Sequence, residues 1–251
     1  MDTGQLIVDA PANGVYNMSV DQVLLNETAR TGIAHLRFYQ WHPATLSLGY
    51  FQRTVDREEH EPSSRIPFVR RTTGGGAIVH DCELTYSLCL PWGPQKQRHN
   101  RVLYEYVHEA IIAVLRGYGI ESAMYIDPAP ELPATSTGKP SFLCFQRRSH
   151  GDIICSGQKI VGSAQRREKT ALLQHGSILL THSDYAPELL GASDLTGVNP
   201  NRWELANLLE KSLSRQLKIS FEPANLSEDL LRQAEEVSKG TFSTNAWTYN
   251  R

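Results

Sequence analysis

Three short segments with the character of β-strands follow one another in the second half of the chain. They span residues 152–155, 158–164 and 171–180, and each is rich in apolar or β-branched residues. Ser156-Gly157 supplies a two-residue turn between the first two segments, and such turns join antiparallel neighbours. The sequence therefore predicts an antiparallel meander at the centre of an α+β fold.

Helical patterns flank this meander on both sides. The first predicted helix begins at a capping-box pattern at Ser19 and ends at Gly32. A longer helix has apolar residues three and four positions apart and ends before Gly117. Two amphipathic helices follow the meander. The residue ranges of the last three predicted helices are 102–115, 202–217 and 227–239.

Two strands are predicted between the first two helices. Residues 35–39 and 45–50 are rich in β-branched and aromatic residues, and the breaker His42-Pro43 separates them. We expect these two strands to pair with each other. Residues 127–140 carry four of the thirteen prolines among small residues, which predicts an irregular, mobile loop that leads to Cys144.

Composition limits the class of protein. A chain of 251 residues with 40% hydrophobic residues can bury one substantial core, and no segment resembles a linker, so we expect one domain. The formal charge of -2 argues against a nucleic-acid binder, which would carry a strong basic excess. Four cysteines without a signal peptide or a bilayer-spanning apolar run favour a cytoplasmic enzyme with free thiols and no membrane contact.

Cys144 is the candidate nucleophile. Free cysteines are commonly small buried hydrophobic residues, and Phe142 and Phe145 could line an acyl pocket or belong to the core. The segment becomes polar directly after Phe145, which disfavours a wholly buried strand. A catalytic thiol reacts as its thiolate and needs a nearby positive charge or N–H donors. No Cys-x-x-Cys pair is present, so we expect no metal site.

Lys159 is the candidate cation, because it follows Cys144 by fifteen positions. Strict strand alternation would place Lys159, Val161 and Ser163 on one face of its strand. The opposite face would carry Ile160, Gly162 and Ala164, of which the last two leave room for close packing.

A glycine triplet supplies a candidate binding loop. A strand at residues 67–71 leads into the triplet and another at 83–88 leaves it, unlike the strand-to-helix loop of a phosphate site. Glycines lack Cβ, so their backbone N–H groups can approach an acyl carbonyl or a phosphate closely. The flanking charged residues either face this pocket or lie in solvent at strand ends. The residues predicted at the pocket are Arg70, Arg71, Gly74, Gly75, Gly76 and His80.

Three motifs together resemble the biotin/lipoate ligase and transferase family, and specifically its cysteine-dependent octanoyltransferases. The motifs are Arg-Arg-Thr-Thr-Gly-Gly-Gly-Ala-Ile-Val-His-Asp at 70–81, Ser-Phe-Leu-Cys-Phe at 141–145 and Gly-Gln-Lys-Ile-Val-Gly-Ser-Ala-Gln at 157–165. The resemblance covers about residues 17–220. It implies a largely antiparallel central sheet packed against helices, with a helical tail at 221–251. It also implies that Cys144 is the nucleophile and Lys159 the active-site cation, with Gly162, Ser163 and Ala164 binding substrate.

The resemblance implies a reaction as well. Such enzymes move an eight-carbon acyl group from acyl carrier protein to a lysine of a lipoyl domain, in glycine cleavage H protein or dehydrogenase E2 subunits. No cofactor is expected, because conversion of a thioester to an amide is downhill. A basic cluster could dock the acidic carrier or be a solvated charged loop. Its members are Arg147, Arg148, Arg166, Arg167 and Lys169.

Alternative activities remain open at this point. An ATP-dependent lipoate ligase would use the glycine loop and Lys159 to hold an acyl-adenylate, and would require ATP and magnesium. Position 76 is glycine, as in many ligases, whereas many cysteine-dependent octanoyltransferases have arginine there. Octanoyl amidotransfer between lipoyl-bearing proteins is a second alternative. Biotin ligation is disfavoured because its arginine-glycine-rich adenylate loop is absent, and a non-catalytic acyl-binding protein has no use for Cys144 with Lys159.

Overall fold

Two β-sheets form the framework of the chain in a computed structural model that describes residues 2–93, 100–127 and 141–250. The strands in chain order are β1 (Asp2–Val8), β2 (Ala34–Tyr39), β3 (Thr45–Leu48), β4 (Phe68–Arg70), β5 (Ile78–His80), β6 (Glu83–Pro91), β7 (Ala123–Met124), β8 (Ile153–Cys155), β9 (Gln158–Arg167), β10 (Ala171–Leu179) and β11 (Ile219–Pro223).

The large sheet contains eight of these strands in the order β11-β1-β2-β6-β10-β9-β8-β7. Strand β1 runs parallel to both of its neighbours, and all the other adjacent pairs are antiparallel. The predicted α+β fold with a largely antiparallel sheet is therefore confirmed. The predicted meander is also confirmed, as the run β8-β9-β10.

Helices cover both faces of the large sheet. The helices in chain order are α1 (Gly14–Thr31), α2 (Glu61–Ser64), α3 (Asn100–Gly117), α4 (Ala192–Thr196), α5 (Arg202–Leu217), α6 (Glu228–Val237) and α7 (Asn245–Thr248). Helices α3 and α5 pack on one face, where Leu84, Val107 and Leu209 belong to one buried cluster. Helix α1 packs on the other face, and α6 packs on α1. The helices predicted at 102–115, 202–217 and 227–239 correspond to α3, α5 and α6.

The first helix starts earlier than predicted. Asn13 is its N-cap, and the Asn13 side chain accepts a hydrogen bond from the Tyr16 backbone N–H at 2.9 Å. Ser19 lies inside the helix, where its hydroxyl donates to the Val15 carbonyl. The predicted end is confirmed, because Gly32 adopts φ 75° at the C-cap, a left-handed conformation that glycine tolerates.

The small sheet has the order β4-β3-β5 and lies against the same face as α1. The predicted pairing of residues 35–39 with 45–50 is wrong, because β2 belongs to the large sheet and β3 to the small one. Trp41 explains the separation. It is buried between the Tyr39 and His80 rings, and it leads the chain from one sheet into the other.

Two further predictions concern the loop at 127–140 and the boundary of the C-terminal tail. Most of the loop predicted at 127–140 lies outside the described residues, which stop at Asp127 and resume at Ser141. Strand β11 spans the boundary predicted at residue 220 and pairs with β1, so the division into core and tail stays a prediction. Within the described ranges, no helix has both the length and the apolar character needed to span a bilayer.

Candidate active site

A cavity lies between the small sheet and the large-sheet face that carries α1. The glycine loop, Cys144 and strands β9 and β10 all border it. The residues that line it are Met18, Tyr39, Trp41, Ser47, Arg71, Gly74, Gly75, Ile78, His80, Thr85, Cys144, Gly162, Ser163, Ala164, His175, Gly176 and Ser177. Eight of the eleven sequence-predicted site residues therefore line this one cavity, and Arg70, Gly76 and Lys159 do not.

Cys144 is the first residue of a short 3-10 helix, Cys144–Gln146. Its backbone N–H donates to the Ala77 carbonyl at 2.7 Å, and the Ala77 N–H donates to the Phe142 carbonyl at 3.0 Å. These bonds attach the cysteine segment to the end of the glycine loop. The side chains of Leu143 and Phe145 are buried on either side, while Cys144 is partly exposed at the cavity.

Lys159 lies beside Cys144. Its Nζ is 3.6 Å from the Cys144 Sγ, 3.4 Å from the Cys144 carbonyl oxygen and 2.8 Å from the Asp152 Oδ2. Lys159 is 6% exposed, so the ion pair with Asp152 is shielded from solvent. The ammonium also lies 5.3 Å from the centroid of the Phe145 ring. The structure therefore brings the candidate nucleophile and the candidate cation into contact.

A β-bulge explains how Lys159 reaches Cys144. Val161 pairs with Ile153 and Lys159 pairs with Ile154. Strand β9 therefore contains one extra, unpaired residue between these two pairs. The predicted common face of Lys159, Val161 and Ser163 is therefore wrong. Val161 is buried in the core beside α3, whereas the Lys159 side chain covers Gly162. A Cβ at position 162 would lie 2.6 Å from the Lys159 Cε, so glycine is needed there.

The Ser163 hydroxyl is directed to helix α3 rather than to a substrate. Burial lowers the pKa of His108 to about 4, so this imidazole is neutral at physiological pH. Its Nδ1 donates to the Gly151 carbonyl at 2.6 Å, and its Nε2 therefore accepts from the Ser163 hydroxyl at 2.6 Å. The Ser163 oxygen then accepts from the Tyr86 hydroxyl at 2.7 Å. Ser163 borders the cavity with its hydroxyl hydrogen already bonded.

Arg71 holds the glycine loop in shape. Its guanidinium donates to the carbonyls of Gly74 at 2.7 Å, Gly76 at 2.8 Å and Ser47 at 2.9 Å. Burial lowers the pKa of Arg71 to about 10, which still leaves it protonated at neutral pH. The loop connects two strands, as predicted, but the strand that follows it is β5 rather than the one predicted at 83–88, which is β6. Gly75 needs its glycine because φ is 94°.

Gly76 lies directly against the backbone of Cys144. A Cβ at position 76 would be 2.9 Å from the Cys144 nitrogen and 3.0 Å from its Cα. Glycine at this position therefore allows the loop and the cysteine segment to make close contact.

Arg70 lies outside the cavity, contrary to its predicted place at the pocket. Its guanidinium donates to the carbonyls of Gly49 at 3.1 Å, Gln52 at 2.6 Å and Thr248 at 3.2 Å. These bonds join the segment after β3 to the C-terminal helix α7. Arg70 therefore stabilises the wall behind the glycine loop.

His80 forms part of the cavity lining, as predicted. Its ring stacks on Trp41 with centroids 3.8 Å apart, and its Nδ1 donates to the Glu83 Oε1 at 2.7 Å. Burial lowers the pKa of His80, and the facing Glu83 opposes this shift only in part. The other ring nitrogen lies 2.9 Å from the Ser47 hydroxyl.

A family model described as the lipoyl protein ligase A/B catalytic domain matches residues 13–202. The chain belongs to this family. Octanoyltransferase LipM of Staphylococcus epidermidis is 30% identical over 264 residues, with 95% of each chain covered. Octanoyltransferase LipM of Bacillus subtilis is 29% identical, with 100% of this chain and 99% of that one covered. These matches identify the chain as an acyltransferase.

Solved structures agree with the family assignment at the level of the fold. A putative lipoate protein ligase from T. acidophilum superposes with a TM-score of 0.78 at 24% identity, covering 99% of this chain and 100% of that one. A lipoate-protein ligase A bound with ATP has a TM-score of 0.78 at 22% identity, covering 98% of each chain.

Two groups of functional residues in this family member were missed by the sequence reasoning. Asp152 binds Lys159, but at the start of a short apolar strand its carboxylate gave no periodic signal. His175 lines the cavity, with Nδ1 3.1 Å from the Asp21 Oδ2 and Nε2 2.7 Å from the Thr73 hydroxyl. His175 stands in the strand predicted at 171–180, so its polar side chain in a largely apolar strand could have identified it. Asp21 is 154 residues away and could not be linked to it.

Asp21 anchors the polar floor of the cavity. Burial alone would raise the pKa of Asp21, but hydrogen bonding from His175 and the charge of Arg37 lower it. Its carboxylate also accepts hydrogen bonds from Tyr39 at 2.8 Å and Ser87 at 2.9 Å. This buried carboxylate is therefore ionised and stabilised by several donors.

The predicted basic cluster lies near the cavity, but several of its members already bind backbone carbonyls. Arg147 donates to Ser141 and Arg148 to Gly157. Arg166 donates to the Thr72 carbonyl at 3.2 Å, next to the glycine loop. Docking of an acidic carrier by this cluster stays a prediction.

Proposed function

We propose that this acyltransferase moves an octanoyl group from acyl carrier protein to a lysine of a lipoyl domain, through a thioester on Cys144. The observation that carries the proposal is the 3.6 Å contact between the Lys159 Nζ and the Cys144 Sγ at the cavity wall. Relatives named octanoyltransferase that match nearly the whole chain support the choice of acyl group. Acceptors of this kind include glycine cleavage H protein and dehydrogenase E2 subunits.

The first half-reaction transfers the acyl group to the enzyme. The Cys144 thiolate attacks the thioester carbonyl of the carrier, and the new S–C bond forms as the carrier sulfur leaves and takes up a proton. The Lys159 ammonium stabilises the thiolate before attack, because its positive charge contacts the sulfur. The enzyme thioester is nearly equal in energy to the donor thioester, so this step is freely reversible.

The second half-reaction makes the process irreversible. The neutral amine of the acceptor lysine attacks the Cys144 thioester, the N–C bond forms, and the Cys144 thiolate leaves beside Lys159. The amine proton passes to solvent, and the product is an amide, which is more stable than a thioester. Lys159 therefore assists both steps, first by stabilising the nucleophile and then by stabilising the leaving group.

The carbonyl oxygen becomes negative during each attack. The Lys159 ammonium and the backbone N–H groups of the glycine loop are the candidates to stabilise it. Loss of one such donor typically costs on the order of 3 kcal/mol of transition-state stabilisation. Arg71 contributes indirectly, because it fixes the carbonyls of Gly74 and Gly76 and thereby the orientation of the peptide groups between them.

The acyl chain needs an apolar wall. Met18, Trp41 and Ile78 supply apolar lining to the cavity. Burial of each methylene contributes about 0.8 kcal/mol, so a chain of this length can bind without polar recognition.

Nucleotide dependence tests the proposal against an ATP-dependent ligase. The purified protein should modify a lipoyl domain from octanoyl carrier protein in nucleotide-free buffer, because the donor thioester is already activated. It should do little with free octanoate or lipoate plus ATP and magnesium. Modification that needs ATP and persists in Cys144→Ala would exclude the transferase and assign the glycine loop to an adenylate.

A further inference from the structure

The Asp152 carboxylate is held in place by three separate donors. Its Oδ2 accepts from the Lys159 ammonium at 2.8 Å and from the Ser149 backbone N–H at 2.7 Å. Its Oδ1 accepts from the Tyr104 hydroxyl at 3.2 Å. Asp152 is 2% exposed, so solvent does not replace these partners. Both oxygens are therefore fixed in direction as well as in position.

The elements around Asp152 leave it little freedom. Tyr104 belongs to α3, and its hydroxyl also accepts from the Ser163 backbone N–H at 3.3 Å. Gly151 adopts φ 92°, and a Cβ there would lie 2.7 Å from the Tyr104 ring. The turn before β8, helix α3 and strand β9 thus converge on this one carboxylate.

Lys159 makes its shortest recorded polar contact with Asp152. Its other two recorded polar contacts are both with Cys144 and are longer, at 3.4 Å to the carbonyl and 3.6 Å to the sulfur. A lysine side chain has a flexible four-carbon stem and a compact ammonium, so its direction is set by its partners. A buried ammonium also needs a counter-charge to remain stable in an apolar setting.

We propose that Asp152 is the positioning residue of this site, which holds the Lys159 ammonium aimed at the Cys144 sulfur without touching substrate. The inference deepens the proposed function and rests on it for the identity of the acyl donor. The positioning role itself does not depend on the donor, because it concerns the fraction of Cys144 that is thiolate at neutral pH. That quantity can be measured without any donor.

The test is a double-mutant cycle on thiolate formation. Asp152→Asn keeps the shape of the side chain and removes the charge, in the wild-type and in the Lys159→Ala background. The readouts are the ultraviolet absorbance of the thiolate, the rate of Cys144 alkylation by iodoacetamide, and the rate of acylation by octanoyl carrier protein. Asp184→Asn, at an exposed aspartate, is the matched control and should leave all three unchanged.

In the wild-type background, Asp152→Asn should slow alkylation and acylation by about tenfold or more, as expected for loss of a charge-assisted hydrogen bond. The thiolate absorbance at neutral pH should fall in parallel. In the Lys159→Ala background the same substitution should have little effect, because no ammonium remains to be positioned. Tyr104→Phe should have a smaller effect than Asp152→Asn, since it leaves the ion pair intact.

Equal slowing in both backgrounds would assign Asp152 a structural role and overturn the inference, as would no slowing in the wild-type background. A different outcome is that alkylation responds to Asp152→Asn and Lys159→Ala as expected while octanoyl carrier protein never acylates the wild-type protein. In that case the proposed function fails and the positioning role stands. Thermal unfolding of each variant shows whether a loss reflects misfolding, and the comparison between backgrounds remains valid for every variant that folds.

Discussion

At the scale of single residues, the contact between Gly76 and Cys144 is the most restrictive feature of the site. The neighbours that a side chain at 76 would meet are backbone atoms of the cysteine segment, which cannot rotate away. Cys144 is also tied to the same loop by its hydrogen bond to Ala77. Any displacement of the loop is therefore transmitted to the nucleophile.

We predict that Gly76→Ala slows Cys144 acylation by about tenfold or more, since small displacements of a reacting group strongly reduce rates. Gly74→Ala is the steric control, because its Cβ would meet only the Phe51 ring at 3.7 Å, an ordinary contact. Single-turnover acylation of the two variants checks this. Equal rates for both would show that the close approach at 76 does not position Cys144.

The sequence identified the residues whose roles depend on local motifs, and it failed for those defined by distant partners. Cys144 and Lys159 could be paired because both lie in recognisable segments only fifteen positions apart. The sequence could not show that Arg70 and Arg71 have different roles, because the Arg70 partner Thr248 is 178 residues away. Asp152 has a local partner, but only the bulge in β9 turns Lys159 toward it.

At the scale of elements, the order of strands and helices could be predicted better than their pairing. The meander β8-β9-β10 and the helices α3, α5 and α6 were predictable from periodicity and turn residues. Strands β2 and β3 were predicted to pair, but the burial of Trp41 directs them into different sheets. Alternation also failed inside β9, since one extra residue moves the Lys159 side chain to the face opposite that of Val161.

At the scale of the whole molecule, buried histidines make stability depend on pH. Burial lowers the pKa of His35 and of His108 to about 4 each, from an ordinary value of 6.5. Both residues are neutral in the folded and the unfolded chain above pH 6.5, where their contribution to stability is complete. As pH falls from 6.5 towards 4, the unfolded chain binds protons that the folded chain does not, so stability is lost.

We predict that the free energy of unfolding decreases between about pH 7 and pH 5, with an upper bound of about 3 kcal/mol per histidine over the full shift. Denaturant unfolding at several pH values measures this slope, and His108→Asn should flatten it. His182→Asn is the control. The Asp194 hydrogen bond raises the pKa of exposed His182, so its contribution to the pH slope of stability has the opposite sign. A slope that is unchanged by His108→Asn would contradict the assignment of a neutral, buried His108.

The central claim is that the octanoyl group forms a thioester with Cys144. It is tested most directly by intact-protein mass spectrometry after incubation with octanoyl carrier protein. Wild type should gain one octanoyl group that hydroxylamine removes, and Cys144→Ala should gain none. Cys82→Ala should be labelled like wild type, because burial raises the pKa of Cys82 to about 11 and keeps that thiol protonated. Equal labelling of Cys144→Ala and wild type, or no labelling of any protein, would contradict a Cys144 thioester intermediate.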